Sequence, residues 1–484
     1  MKYEEAETEI QDDFQAKQKK SNPLTLLRNW NFSALFIGGF INNVGSYFTT
    51  VAIIFLGLVF TSGLPENEAT REIALMTTFT LAPMLVLGPI AGVLADKFDR
   101  KKVMVIADFL GAGAAFSLIF ATQMWHLYLF ALFNSSVRQF FYPAKTASIP
   151  RLVKQDQLLT ANGFIQTTSQ LSRLIGPLLA GFLIAAFGFD LAFIIDGCSY
   201  VISAVLLITI RTNLKPTKTE EKLTLRSVGT GLKEGFQLAF TDKIITFVII
   251  LFSFTILMIG MVDPLIVPYM NFQFGVGEEE FGMMMSFAAI SGLILAVALS
   301  IKGHIKKKLT FMTVTILIAS FSLAFLGLAP FLPGGVAWIW TGMILVGCIN
   351  VGFNLPFATL IQRIIPDKDL GKISGVVDTV ITAASVTASG IAAALAGAIS
   401  TSWIFIILTI AIALGGVVGL VIIKYMNLEK IAQLREEKMK AIKEREEIDE
   451  ETREEIVDFE KQVQLTLEEL KSEEPLKAPH PSLD

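Results

Sequence analysis

Histidine and cysteine are scarce in this chain, with three and two among 484 residues. His126, His304 and His480 stand far apart without metal-ligand spacing. No HExxH helix, nucleophile elbow or Walker loop occurs. The sequence therefore points away from an enzyme, a bound metal or a cofactor, and no nucleic-acid partner is expected. Without an ATP-binding module, energy for any work has to come from an ion gradient, a substrate gradient or a partner protein. Cys198 and Cys348 fall within apolar runs and read as packing residues without a disulfide. Charge is sparse too, at 17% against 53% hydrophobic residues. A mean hydropathy of +0.59 excludes a domain with an ordinary polar shell.

What fills the chain instead is a series of apolar segments about 20 residues long, the length a helix needs to cross a bilayer core. Twelve are expected, near 32–60, 73–94, 103–122, 127–148, 164–188, 190–210, 244–270, 281–301, 309–328, 336–361, 372–398 and 403–423. Lipid offers backbone groups no partner, so segments apolar all round have to be helices. The acidic start, MKYEEAETEIQDDF, has no apolar run and no cleavage site, so no leader peptide is expected. Lys and Arg favour cytoplasmic loops. With the N-terminus inside, 37 of the 40 fall on that side. Of the others, Arg71 takes an outer loop, while Arg138 and Arg173 lie within spans. An integral, multi-pass protein of the cell membrane with both termini cytoplasmic follows.

Five regions are expected: a cytoplasmic segment 1–31, a six-helix half 32–210, a cytoplasmic linker 211–243, a second six-helix half 244–424 and a charged helical tail 425–484. In the linker, Leu225, Val228, Leu232, Phe236 and Ala239 recur at helical spacing. That pattern suits a helix lying on the membrane surface, with a mere tether as the alternative. The tail lacks Gly and Pro through its first charged stretch and pairs Glu with Lys at helical distances. It reads as a solvated helix, removable without loss of transport, or one that offers a surface to a protein partner. The halves echo one another. PAKTASIPRLVKQD follows the fourth segment and PFATLIQRIIPDKD the tenth, a duplication that many transporters show.

The stretch GPIAGVLADKFDRKK carries the most specific motif. Gly92, Asp96, Lys97, Arg100 and Lys101 fit a G-x-x-x-D-[RK]-x-G-[RK]-[RK] pattern between the second and third segments. Asp99 stands at the pattern's glycine, so the turn has to form without that residue's freedom at positive φ, a conformation that Asp tolerates better than most. Gly88 and Gly92 form a small-xxx-small face suited to close helix packing. By these residues the chain resembles the major facilitator superfamily. The stretches YPAKTASIPRLV, LTANGFIQTTSQLSRLIGPLLAG and FIIDGCSYVIS are similar to its drug:proton antiporter branch, which includes macrolide efflux permeases and siderophore exporters. The resemblance covers about residues 25–425. It implies an all-α fold of twelve helices in two halves. It also implies a latch in which Asp96 meets the N-terminus of the eleventh span, near Gly371 to Ser374, while the cavity faces outward. Ser300 and His304 replace its key residues in the second half, so one latch is expected. Gly176, Pro177 and Gly181 resemble an antiporter motif, where proline frees a carbonyl and glycine permits bending or close contact.

Ionisable groups within spans are costly unless paired or hydrated. They are Asp108, Arg138, Arg173, Asp196, Asp263 and Asp378. In the superfamily, spans 1, 4, 7 and 10 line the central cavity. Arg138, Asp263, Asn42, Asn43, Asn350 and Asn354 fall on that set and are the expected cavity residues. Asp263, followed by Pro264, is the expected proton-coupling carboxylate. A structural pairing of Arg138 or Arg173 with Asp196 or Asp108 is the alternative for those four. The expected function is a proton-coupled exporter of amphipathic small molecules through a broad apolar cavity. The partners would be its substrate, protons and the lipid bilayer. A lipid or lysophospholipid transporter, a siderophore exporter or a membrane sensor signalling through the tail are the alternatives.

Overall fold

Apolar composition makes helices, and helices are what the computed structural model shows; it describes residues 23–95, 97–215, 225–302 and 305–442. Six helices build the first half: α1 (Trp30–Phe60), α2 (Glu66–Ala95), α3 (Arg100–Ser117), α4 (Met124–Leu152), α5 (Leu158–Phe187) and α6 (Phe189–Thr209). A linker helix, α7 (Leu225–Thr241), leads to the second half: α8 (Lys243–Ile259), α9 (Asp263–Phe274), α10 (Glu278–Lys302), α11 (Lys308–Leu328), α12 (Gly335–Ile364), α13 (Asp367–Ala396) and α14 (Thr401–Tyr425). Residues 428–442 form a further helix, α15. Counting α8 and α9 as one interrupted span, twelve segments correspond to the twelve expected. Eleven are apolar enough to cross a membrane by composition alone. The twelfth, α4, is as long but carries Arg138, Lys145 and two prolines, and it packs between α2 and α3 within the bundle. Large apolar side chains such as Ile250, Val297, Leu414 and Val421 face outward, as a lipid solvent requires.

The internal repeat lies in the helix pairing. In the first half α1 packs on α5 and α6, α2 on α4, and α3 on α4 and α6. In the second, α8 packs on α13 and α14, α10 on α12, and α11 on α12 and α14. The halves meet through α2 with α13 and α5 with α10, two pairs that exchange under the same repeat.

Among the described residues, the hydrogen bonds across this seam lie toward one end of the bundle. Asn67 donates to the carbonyl of Gly397 at 3.3 Å, Gln273 to Glu66 at 2.9 Å, and Thr78 shares a 2.8 Å bond with Ser389. Ser286 of α10 donates to the Leu174 carbonyl of α5 at 2.8 Å. Here Gly181 and Gly282 let two backbones touch. A β-carbon at Gly181 would sit 2.4 Å from the Glu278 carbonyl, and one at Gly282 would sit 2.5 Å from the Pro177 carbonyl. At the other end, a β-carbon added at Gly88, Gly92 or Gly371 meets nothing within 4 Å. The small-xxx-small face of α2 is therefore unpacked in this conformation. The bundle is closed at the end bearing Gly397 and parted at the end bearing the α2–α3 loop.

The linker helix forms over the expected residues and is docked on protein. Gly235 lies against the Lys372 carbonyl and Val376, Ala239 is fully buried, and Glu234 pairs with Lys372 at 2.7 Å. Side chains of Leu225, Val228 and Leu232 lie outside the described residues.

The tail departs from expectation over its first helix. Glu436 pairs with Lys308 at 2.7 Å and approaches Arg363 at 4.0 Å. Glu429 accepts from the Thr310 backbone and hydroxyl at 2.8 Å, and Arg435 pairs with Asp242. With Leu428 and Ala432 buried, residues 428–442 are a docked part of the second half rather than a solvated helix. Their charges look solvated in the sequence because their partners lie 119 to 193 positions away. Residues 443–484 lie outside the described residues.

Candidate functional site

Three helices of the first half enclose a cavity of about 630 Å³, within the range of small-molecule sites. Its wall follows helical spacing on each. α1 contributes Asn43, Ser46, Tyr47 and Thr50; α4 contributes Arg138, Tyr142, Lys145, Thr146 and Ile149; α5 contributes Asn162, Ile165, Gln166, Ser169 and Ser172. Residues three, four and seven apart share one helix face, so each helix turns its polar stripe inward and its apolar remainder outward. Thr146, Ile149 and Asn162 place the mouth at the parted end.

Most lining residues carry a hydroxyl, amide or cationic group, with Ile149 and Ile165 as the aliphatic members, so fixed polar groups punctuate a surface that the sequence leads one to expect as broadly apolar. Hydropathy averaged over a span hides such stripes because the lipid face dominates the mean.

Arg138 donates to the Tyr142 hydroxyl at 2.8 Å, and its guanidinium lies 5.5 Å from the Tyr142 ring centre. Behind it, Asp108 and Asp196 are each 1% exposed. Asp108 accepts from Asn42 at 3.1 Å, and Asp196 holds Ser199 through its carbonyl at 2.7 Å. One oxygen of each carboxylate lacks a hydrogen-bond partner among the described residues. Both lie in the field of Arg138, and Asp108 also in that of Lys145, without a direct ion pair among the described residues. A smaller recess joins Asn42, Asn43, Asp108, Arg138, Lys145 and Tyr200.

The sequence-derived set is thus brought together in part. Asn43 and Arg138 line the cavity, and Asn42 lines the smaller recess beside them. Asn350 and Asn354 stand outside its described walls, exposed on α12, where Asn354 donates to the Asn350 carbonyl at 2.9 Å. Asp263 opens α9 just after a break at 260–262, with Pro264 at the first turn. It is exposed, and the charge that acts on it is Arg173 of the opposite half. Because α9 runs on to Phe274, the carboxylate sits about 17 Å from the closed end, deeper than counting to Met270 suggests. Tyr142 and Lys145 were missed. Lys145 counts as a loop cation in a charge tally, yet α4 continues to Leu152. The signal available was the spacing of Arg138, Tyr142 and Lys145 on one face.

In the loop motif, Asp96 lies outside the described residues, as does His304. Asp99 adopts φ −62° and caps α3, accepting from the Lys101 amide at 3.1 Å, so the turn forms without glycine's freedom at positive φ. A side chain that can cap makes glycine's freedom unnecessary. Arg100 donates to the Ala147 carbonyl at 2.9 Å, and Lys101 to the Ile208 and Ile210 carbonyls at 2.7 Å. These three bonds tie the first half to itself in this conformation. Lys97 is exposed, and Ser300 donates within its own helix. Gly176 receives the Tyr47 ring, and Pro177 and Gly181 lie on the α5–α10 seam of an unbroken helix.

The family model described as Major Facilitator Superfamily matches residues 35–389. The chain is 26% identical over 390 residues to an uncharacterized MFS-type transporter, YfiS of Bacillus subtilis, covering 79% of this chain and 90% of that one. It is 24% identical to macrolide efflux protein A of Streptococcus pyogenes, over 74% and 87% of the two chains. It is likewise 24% identical to the enterobactin exporter EntS of Escherichia coli, over 84% and 92%. Among solved structures, a bacterial homologue of the iron transporter ferroportin in an inward-facing state superimposes with a TM-score of 0.61 at 18% identity, over 82% and 98%. Two repeated six-helix units, joined along α2–α13 and α5–α10, and a family match over most of the length place this chain in the major facilitator superfamily of membrane transporters.

Proposed function

We propose that this protein is a proton-coupled exporter of amphipathic small molecules that works by alternating access, with both termini and the parted end of the bundle cytoplasmic. The observation that carries this reading is a polar-lined cavity in the first half, near the parted end of the bundle, together with bonds between the halves that lie toward the opposite end. Relatives named for macrolide efflux and enterobactin export support the outward direction. The polar lining favours a substrate rich in hydrogen-bonding groups over a lipid. Open space at Gly88, Gly92 and Gly371 is what a released latch between α2 and α13 predicts, and Asp96 would engage when that end closes.

Coupling requires a carboxylate whose proton and substrate states depend on each other. Asp263 remains the candidate on the second half, facing Arg173 across the seam; Asp108 and Asp196 are the candidates behind Arg138. Purified protein in proteoliposomes, given a pH gradient and a panel of labelled macrolides and siderophores, should drive accumulation of at least one member. Asp263→Asn should retain binding but lose the gradient dependence. If the wild type moves no member above empty liposomes, the exporter reading fails; if Asp263→Asn still couples, coupling resides at Asp108 or Asp196.

A further inference from the structure

We infer that the cavity selects organic anions, seating a carboxylate or similar flat oxyanion between Arg138 and Lys145 and the molecule's body against Tyr47 and Tyr142. The inference rests on the reading of this cavity as the substrate site and adds the sign of the charge it accepts.

The lining contains two cations and no acid. Arg138 spends one guanidinium donor on Tyr142 and makes no other hydrogen bond among the described residues. Lys145 makes none among them, although its ammonium lies close enough to Gly39 that a β-carbon there would come within 2.9 Å. Both cations sit seven residues apart on one face of α4, so their donors converge. A guanidinium fork matches an oxyanion with two parallel bonds, and an ammonium adds a third. The Ser172 hydroxyl, buried and without a partner among the described residues, adds a donor on the same wall.

The surrounding charges do not consume these donors. Asp108 on α3 and Asp196 on α6 offset the cations from behind, but neither forms a direct ion pair with them. Tyr200 on α6 turns its hydroxyl to Asn134 at 3.3 Å. Arg173 on α5 reinforces the positive field at Tyr47. Membrane-embedded cations that are neutralised at a distance and left under-bonded suit a ligand that supplies the missing acceptors. The two tyrosine rings offer flat, partly apolar surface for the rest of such a molecule.

Three probes that share one ring system separate charge from shape: naphthalene-2-carboxylate, 2-naphthylmethylammonium and 2-naphthylmethanol. Equilibrium binding of each radiolabelled probe to the full-length protein in detergent should rank the carboxylate first. Arg138→Gln and Lys145→Gln should each weaken carboxylate binding about ten- to a hundredfold, while Lys145→Arg, which keeps the charge, retains it and shows that the fold is intact. Equal or tighter binding of the amine or the alcohol, or no saturable binding of the carboxylate, overturns the inference. Flux of the same probes in proteoliposomes reads the transport reading separately: a carboxylate that binds but never crosses leaves the charge preference standing and refutes transport through this site.

Discussion

Lys308 shows how far a single residue's environment can depart from what its sequence neighbours suggest. It belongs to the run Lys306-Lys307-Lys308 at the start of α11, where the helix dipole disfavours a cation. Yet it is 4% exposed and bonded to both oxygens of Glu436, at 2.8 and 2.7 Å. Glu436→Ala leaves a buried ammonium without its partner, a change worth about 3 kcal/mol. Detergent-solubilised mutant protein should melt several degrees below wild type, and Lys308→Met combined with Glu436→Leu should recover much of the loss. An unchanged melting temperature for Glu436→Ala would mean that α15 detaches in solution.

Among the elements, the linker helix α7 is tied to α13 by an exposed ion pair, Glu234 with Lys372. The Lys372 ammonium beside it holds the exposed Glu234 carboxyl below the usual carboxylate range. A depressed carboxyl contributes attraction that is present above its ordinary value, near pH ~4.3, and is lost as pH falls through the lowered one. Acid should therefore loosen α7 from α13 only below the ordinary carboxylate range, and only in part, because Gly235 and Ala239 remain packed. Spin labels at Gln237 and Gly371 should show coupling at pH 7 that weakens at pH ~3, with Glu234→Gln reproducing the acid spectrum at neutral pH. Coupling insensitive to both acid and that substitution would assign the docking to packing alone.

For the molecule as a whole, the decisive contact is the backbone approach of α5 and α10. Gly181 and Gly282 leave no room there for a β-carbon. Gly181→Leu should push the sealed end apart and shift the population toward the opposite state of the cycle. A cysteine placed at Ser169 in the cavity should then lose reactivity toward a membrane-impermeant maleimide added from the parted end. The mutant should also insert normally and transport poorly, since one of its two end states is disfavoured. Unaltered Ser169→Cys labelling would show that this seam does not control the conformational equilibrium.

Much of this architecture is written in local chemistry. Run length and all-round apolarity require membrane helices, Lys and Arg placement points to their sidedness, and GPIAGVLADKFDRKK with the duplicated spacing points to the family and its two halves. Arg138, Asn42 and Asn43 were legible because polar groups within apolar spans need a reason to be there. Other features depend on contacts distant in sequence. Asp99 reads as a substitute for the motif's glycine until its side chain is seen capping α3; Lys145 reads as a loop charge until α4 is seen to continue past it. The tail's first helix reads as solvated until Glu429, Arg435 and Glu436 meet Thr310, Asp242 and Lys308. The cavity's polarity is of the same kind, for it arises where stripes on α1, α4 and α5 face one another. The sequence determined which segments cross the membrane because the cost of burying a polar backbone in lipid is paid residue by residue. Only the tertiary structure decided which faces meet, because long-range pairing depends on the rotation of each helix about its axis, and hydropathy carries no record of that angle.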